Sequence, residues 1–557
     1  MQRLILFAAV MMISAVTLYS QSNEYRVPDQ VNLINKDSLI SNIIKISSDE
    51  FEGRAPASKG EKLTLDYLTK KYSEAGALPG NGNSYLQRLE ITEVYSEAPE
   101  YLYFKGKGSE IKLKHAEEFT AQSRRITPDI SLSDAELVFA GYGIVAPEYN
   151  WNDYAGIDWK NKIAVVFVND PGYATGDSTL FTGKAMTYYG RWTYKYEEAA
   201  RQGAAGILII HETGPASYPW EVVKNGWTGT EYYVVSAMNN MERSAVEGWI
   251  TDFKAKELFT AAGYDFDALR KRAVTPGFRP FSLGFTTDIK ISNSYKATET
   301  HNFIAKIPGT KRAEEYIIYT AHYDHLGIDT TLAGDQIFNG ARDNASGTAA
   351  LIEIARAFAN LQGEYKNERT IVFIGTGAEE RGLLGAEYYT ANPVYPLEQT
   401  VAVINIDGLN IYGPTKDITQ IGKGLSALDS FVEKAASLKN KYVSPDMNPA
   451  SGGFFRSDHF PFAKKGVPAM YLGGGREHSE FGFDYIKKKN DEWGKTKYHR
   501  VGDEYDESYW DLSGAMDDIK IGFMIGHMLS RTSSFPEWNE GTAFKTLRDK
   551  MMKVKAD

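Results

Sequence analysis

Between residues 316 and 472 short apolar runs alternate with stretches of helical periodicity, and this alternation restricts the folds open to the chain. Residues 316–320, 370–374, 400–406 and 467–472 are each rich in β-branched and aliphatic side chains and read as buried strands. After the first, Leu351, Ile352, Ala355, Phe358 and Ala359 recur at helical spacing, so a helix is expected from near Ser346. After the second, residues 383–389 read as helix. Strands and helices in this order predict an α/β fold with a mainly parallel, doubly wound sheet. Ligands of such sheets bind beyond the carboxyl ends of the strands.

Those ends are where the chemistry of the chain changes. His322 follows the first strand, Asp343 stands at the expected helix start, Glu379 and Glu380 follow the second strand, and Asp407 follows the third. With His499 further on, they form a set of imidazoles and carboxylates without thiolate, which suits zinc. A two-metal centre needs a bridging carboxylate, and Asp343 is the candidate. A carboxylate left over beside the ligands can act as general base towards an activated water. Asp324, two residues past His322, is placed to orient its ring. Taken singly, Asp343 is an ordinary helix cap, Glu379-Glu380 a solvated helix start, and Asp407 a turn residue. Their recurrence at successive strand ends is not something the sheet itself demands.

Residues 320–327, 340–347, 377–385 and 405–407, with Tyr498-His499, resemble the M28 family of metallopeptidases, strongly over about 295–530 and weakly over about 30–125. The resemblance implies a three-layer α/β/α phosphorylase/hydrolase-like fold and two zinc ions per chain. It implies His322 and Asp407 on one zinc, Glu380 and His499 on the other, Asp343 between them, and Glu379 as general base. Tyr498 matches a tyrosine that stabilises the oxyanion in some relatives. Residues 457–462 also resemble the family, which makes Asp458 and His459 candidates for the substrate pocket. Arg342 and Gly408 depart from the family pattern without removing a ligand.

Residues 131–284 differ in character. The runs 135–143, 163–168 and 207–210 read as strands and 194–202 as a helix, an order that resembles an inserted, β-rich protease-associated domain. The aromatic density from 188 to 233 reads as core rather than as a peptide-binding surface. The expected division is therefore 1–20 signal peptide, 21–130 N-terminal part of the peptidase domain, 131–284 inserted domain, 285–535 catalytic domain and 536–557 C-terminal tail with a solvated amphipathic helix. The signal reading follows from Arg3, an apolar run from Leu4 to about Tyr19, and polar residues after it. Sixteen or so apolar residues are short for a membrane span, so export to the periplasm or medium of a bacterium is expected, with no stable membrane anchor after cleavage. The absence of cysteine excludes disulfides and thiolate ligands. A net charge of −10 without a basic groove motif speaks against nucleic acid as a partner.

The expected activity is that of an exported di-zinc exopeptidase acting on peptides, best read as an aminopeptidase. A carboxypeptidase would use the same metal chemistry but anchor a carboxylate with arginine; Arg456 and Arg476 compete with Asp458 and Glu477 for that assignment. A single-zinc glutaminyl cyclase shares the 458–461 loop. A binding module that has lost its ligands is disfavoured, because none is missing.

Overall fold

The computed structural model describes residues 25–556; the signal-like segment 1–20 lies outside them. The main sheet runs in the order Leu86–Glu97, Phe281–Ile307, Arg369–Thr376, Arg312–His322, Thr400–Asn405, Ala469–Gly473, Asp417–Ile421, Tyr442–Pro445. The four middle strands, from Arg369–Thr376 to Ala469–Gly473, are mutually parallel. They are buried on both faces, which is why their sequences show continuous apolar runs instead of alternation.

Side-chain alternation assigns each face its helices. Ile317, Tyr319, Ala321, Ile371 and Phe373 join a core with the helices Lys36–Ile46, Lys59–Ala75, Gly347–Ala359 and Ser513–Arg531. Ile318, Val372, Ile374 and Val403 face the opposite layer, with the helices Leu384–Ala391 and His459–Lys464. The helix Lys59–Ala75 starts where Ser58 accepts the Glu61 N–H, and it stops at Gly76 in the left-handed region. The helix Ser513–Arg531 lies so close to the sheet that a Cβ on Gly526 would stand 1.9 Å from the Tyr319 hydroxyl. Only glycine permits that approach.

A second lobe is built on the parallel strands Asp129–Phe139, Lys162–Phe167, Gly206–His211 and Val246–Thr251. Its sheet is also covered on both sides: Leu137, Val165 and Leu208 enter one core, and Val138, Val166 and Ile209 the other. Trp192, Trp220 and Trp227 pack against that second core. Two boundaries differ from the expected division. The strands Tyr101–Gly106 and Ser109–Lys114 contribute Leu102, Phe104, Ile111 and Leu113 to the lobe's core rather than to the peptidase part. The expected break at 284/285 falls inside one 27-residue strand, Phe281–Ile307. That strand pairs with Asp129–Phe139 at one end and with Leu86–Glu97 and Arg369–Thr376 at the other, so both sheets share it.

The C-terminal segment is not wholly solvated. Trp538 and Phe544 are buried, and Arg548, on the helix Lys545–Ala556, donates to the Leu397 and Thr400 carbonyls. Thr546, Leu547, Lys550, Lys553 and Lys555 on the same helix are exposed. No described helix is long and apolar enough to cross a membrane.

Candidate metal centre

Register brings the expected ligands to one rim. His322 ends its strand opposite Thr376, and Thr320 lies opposite Asn405. Residues 379–380 and 407 therefore leave the sheet beside His322. Asp343 arrives on the loop before the helix Gly347–Ala359. That loop turns at Gly340, φ +53°, where a Cβ would meet the Asp343 carbonyl at 2.3 Å and the His325 ring at 2.6 Å. His499, Tyr498 and Trp493 close the other side of a cavity of ≈ 460 Å³.

Distances within the cluster fit cation coordination better than hydrogen bonding. His322 Nε2 is 3.2 Å from Asp343 Oδ1 and 3.3 Å from Asp407 Oδ1. His499 Nε2 is 3.4 Å from Asp343 Oδ2 and 3.1 Å from Glu380 Oε2. Two ligand atoms of a tetrahedral zinc at about 2.0–2.1 Å from the metal are themselves separated by about 3.3 Å. A single imidazole N–H cannot satisfy two carboxylates at once, whereas a cation among the three atoms can. Ligand atoms of His322, Asp343 and Asp407 all lie within 4.8 Å of one another, as do those of His322, Glu379 and Glu380. Asp343 turns one oxygen to each imidazole, the arrangement a bridging carboxylate requires. The residues thus fit zinc.

His325, left outside the ligand set by the sequence, also meets Asp343 and Glu380 within 4.8 Å. Its Nδ1 is hydrogen-bonded to Glu380 Oε1 at 2.7 Å, and the ring is fully buried. His499 faces Oε2 of the same carboxylate from the cavity. His325 thus orients Glu380, while His499 Nε2 stands 3.1 Å from Glu380 and 3.4 Å from Asp343 on the cavity side.

The charges of the cluster explain its titration. Burial disfavours a charged His322, yet the Glu379 and Asp407 carboxylates and the contacts to Asp343 carry its pKa well above the usual value. His499 is pushed up to about 10: burial opposes the shift, and Asp343 and Glu380 overcome it. Burial, with Glu380 and Asp407 nearby, holds the Glu379 carboxyl well above the carboxylate range, although His322 opposes the rise. Glu380 goes down to about 2 despite burial and Asp343, because His325 and His499 bond to it. So many acids in one buried place draw in positive charge, and protons serve only where metal does not.

The supporting contacts differ from expectation at three residues. The Asp324 carboxylate is 3.9 Å from His322 Nδ1, too far to hold the ring; the nearer partner is the Asp324 backbone carbonyl at 3.2 Å. Its carboxylate instead accepts the N–H groups of Glu379 at 3.0 Å and Glu380 at 3.3 Å, fixing the turn that carries both acids. Asp458 and His459 are fully buried and do not line the cavity. Asp458 bonds to the Thr376 hydroxyl, and burial lifts its pKa to about 7. His459 packs edge-on against Phe454, and burial depresses its pKa to about 3. Their neighbours Arg456 and Ser457 are the residues that reach the cavity, and Ser457 Oγ donates to Asp407 Oδ2 at 2.7 Å.

Tyr498 is half-exposed, stacks on the His499 ring at 3.8 Å and lines the cavity. Burial of the hydroxyl and the surrounding Asp343 and Glu380 charges raise its pKa, keeping it a proton donor.

Two residues absent from the sequence-based set hold the site together. Arg54, fully buried, donates to the carbonyls of Tyr323, Ile46, Asn339 and Gly340 at 2.7, 2.9, 2.6 and 2.9 Å. It pins the segments after His322 and before Asp343 to the N-terminal helices. Asp503 accepts the Asp343 N–H at 3.0 Å and the Arg342 N–H at 3.2 Å. The sequence around Arg54 shows only a turn, and Asp503 stands in an ordinary polar loop, so neither carried a signal.

Residues 302–524 match the model described as Peptidase family M28. The chain is 28% identical over 257 residues to mouse Aminopeptidase NAALADL1, covering 42% of this chain and 31% of the relative. It is 27% identical over 243 residues to Leupeptin-inactivating enzyme 1 of Streptomyces exfoliatus, covering 43% of this chain and 48% of that protein. The matches therefore span about a third to a half of the length of these curated relatives. Among solved structures, an aminopeptidase from Aneurinibacillus sp. strain AM-1 aligns with 91% of this chain and 96% of its own, at 19% identity and a TM-score of 0.47.

Proposed function

We propose that this chain, whose residues 302–524 match the model of peptidase family M28, is an exported zinc exopeptidase, best read as an aminopeptidase, with two metal ions at the rim of its sheet. The observation that carries the reading is Asp343, whose two oxygens face His322 at 3.2 Å and His499 at 3.4 Å. His322 and Asp407 would hold one ion and Glu380 and His499 the other, with Asp343 as the ligand the two would share. Bound zinc supplies Lewis acidity, polarising a carbonyl and bringing the pKa of a water down to about 7.

Glu379 lies beside this centre with its backbone fixed by Asp324. Its carboxylate takes the proton of the attacking water and returns it to the departing amine. The Tyr498 phenol donates to the oxygen on which negative charge develops. His325 and Asp503 hold Glu380 and Asp343 in place, so these carboxylates need no rearrangement when the substrate reacts.

The test is Glu379→Gln. The variant is expected to keep its zinc content and to lose about 10²–10⁴-fold in kcat on aminoacyl anilides. An unchanged rate removes Glu379 as the base. Metal analysis runs alongside, on a panel of aminoacyl anilides, N-blocked dipeptides and peptides with N-terminal Gln, with and without chelator. One zinc per chain together with cyclisation of the Gln peptides would replace the peptidase reading by a glutaminyl cyclase, and cleavage confined to N-blocked dipeptides would replace it by a carboxypeptidase.

A further inference from the structure

His499 reaches the metal rim on a segment with little hold on the core. It follows the helix Gly482–Thr496, in which only Ile486 of 15 residues is buried. The turn between them is tied back to that helix: the Lys497 and Tyr498 N–H groups donate to the Trp493 carbonyl at 2.8 and 3.0 Å. The segments of Asp407 and Asp343 have anchors of their own. The Asp407 carboxylate accepts from Ser457 and its carbonyl from the Tyr471 hydroxyl, and the next two N–H groups donate to the Asn344 and Ser346 side chains. Asp343 is held by Asp503. The place of His499 relative to these two acids therefore depends on what fixes Trp493.

One side chain makes that connection. Arg342, immediately before Asp343, places its guanidinium 4.5 Å from the Trp493 ring centre and 5.2 Å from that of Tyr412. Its Nη2 donates to Asn490 on the same helix at 3.0 Å, its Nη1 to the Tyr412 hydroxyl at 3.1 Å, and its Nε to the Leu409 carbonyl at 3.2 Å. A single residue thus joins the segment of Asp343, the segment after Asp407 and the helix before His499. The Trp493 ring in turn meets the Tyr498 ring at 5.3 Å, and Tyr498 stacks on His499 at 3.8 Å with 26° between the planes. The series closes on itself, because His499 Nε2 stands 3.4 Å from Asp343 Oδ2, the neighbour in sequence of the arginine that starts it.

The other two arginines lining the catalytic cavity do nothing comparable: the Arg456 guanidinium donates to the Ser451 carbonyl and that of Arg476 to the Thr419 hydroxyl. A planar guanidinium suits the task, since it can lie against aromatic faces while its edge donates hydrogen bonds. The acceptors of Arg342 are all neutral, which leaves its charge to the ring faces. The remaining polar contact of Trp493, from its indole N–H to Asp503, is long at 3.4 Å.

We propose that Arg342 is a positioning residue for His499: through Trp493 and Tyr498 it sets the distance of that imidazole from Asp343 and Glu380, and with it the affinity for one of the two metal ions. The consequence for metal rests on the two-ion reading above; the placement of the imidazole does not.

Two measurements keep these apart, and the first needs no metal. In the whole metal-free chain carrying isotope-labelled histidine, the magnetic resonance signal of the His499 ring, assigned by its loss in His499→Gln, is expected to be sharp and shifted upfield by the Tyr498 face. In Arg342→Leu it is expected to move towards the unstacked value or to broaden. Arg342→Lys keeps the charge but not the plane and is expected to behave as Arg342→Leu does. Trp493→Phe, which keeps a ring between Arg342 and Tyr498, is expected to preserve the signal better than Trp493→Leu. A signal unchanged in Arg342→Leu overturns the proposal; if that variant does not fold, equal signals in the two Trp493 variants overturn it.

The second measurement is zinc affinity, by competition against a chromogenic chelator, with kcat and KM alongside. Arg342→Leu is expected to bind one of its two ions about 10–100-fold less tightly and the other within about threefold of wild type, and its lowered kcat should recover as free zinc is raised. A raised KM that zinc does not relieve would make Arg342 a substrate contact and overturn the positioning role. Uptake of a single ion by the wild type, with the His499 signal still dependent on Arg342, would refute the two-ion reading and keep the positioning. Two ions with a signal indifferent to Arg342 would do the reverse.

Discussion

Asp503→Asn tests whether Asp343 is held in place from behind. In the native protein Oδ2 accepts the Asp343 N–H at 3.0 Å, and Oδ1 accepts the Arg342 N–H at 3.2 Å and the Trp493 indole N–H at 3.4 Å. Asparagine has nearly the same shape but turns one of these acceptors into a donor. Whichever way the amide is placed, one buried N–H then faces another. The loss is one hydrogen bond to a charged acceptor, about 1.5–3 kcal/mol, plus a buried donor without a partner, about 1–3 kcal/mol.

Asp343 escapes part of that loss only by moving, and movement spoils its approach to both imidazoles. Outer contacts of this kind typically govern about 10–100-fold in metal affinity, equivalent to about 1.4–2.7 kcal/mol. Asp503→Asn is therefore expected to weaken zinc binding by that factor, read by competition against a chromogenic chelator, and to lower the melting temperature of the metal-free protein. If stability falls while zinc affinity holds within about threefold, Asp503 supports the loop but does not position the carboxylate, and the reasoning is refuted.

Two further outcomes follow from packing and protonation. Gly526→Ala places a methyl carbon 1.9 Å from the Tyr319 hydroxyl, so it is expected to cost about 1–3 kcal/mol in denaturant unfolding in spite of the better helix propensity of alanine, and Tyr319→Phe in the same chain should recover part of the loss; equal stability of Gly526→Ala and wild type would contradict the close approach. His527 is buried between the Tyr365 carbonyl at 2.8 Å and the Tyr25 hydroxyl at 3.0 Å, and burial lowers its pKa from 6.5 to about 4. Protons then bind the unfolded chain more readily than the folded one below about pH 6.5, so stability is unaffected above that pH and falls by about 3 kcal/mol as the pH drops to about 4. His527→Gln should flatten this part of a melting-temperature profile relative to wild type, and parallel profiles would dismiss His527 as a source of acid sensitivity.

The limits of the sequence reading have a physical origin, and the long strand Phe281–Ile307 shows it for the fold. Leu283, Phe285, Ile289 and Ile291 alternate with polar residues, because that part of the strand buries one face, in the lobe. Phe303, Ile304 and Ala305 are buried consecutively, because both faces of the catalytic sheet are covered. A change of pattern reads as a boundary between domains, yet here one hydrogen-bonded strand crosses it. The central strands Arg369–Thr376 and Thr400–Asn405 were legible for the opposite reason: their burial is uniform, so the apolar run and the element nearly coincide, whereas Arg312–His322 is fully buried only from Ile317 and its first residues carried no such run.

The same distinction separates the parts of the metal centre that sequence exposes from those it hides. A candidate ligand must be one of few residue types, and it must follow a strand to reach the rim, so His322, Glu380 and Asp407 stand out as candidates by type and position together. Arg54 and Asp503 bind backbone groups, and backbone groups occur everywhere. Arg54 reaches the carbonyls of Tyr323, Asn339 and Gly340, more than 250 residues away, through the packing of the Lys36–Ile46 and Lys59–Ala75 helices on the sheet. Nothing in a local pattern marks such a residue, because the demand it meets is created only when the distant segments meet. Side chains whose role depends on one element can be read from sequence, whereas those that act between elements need the assembled fold.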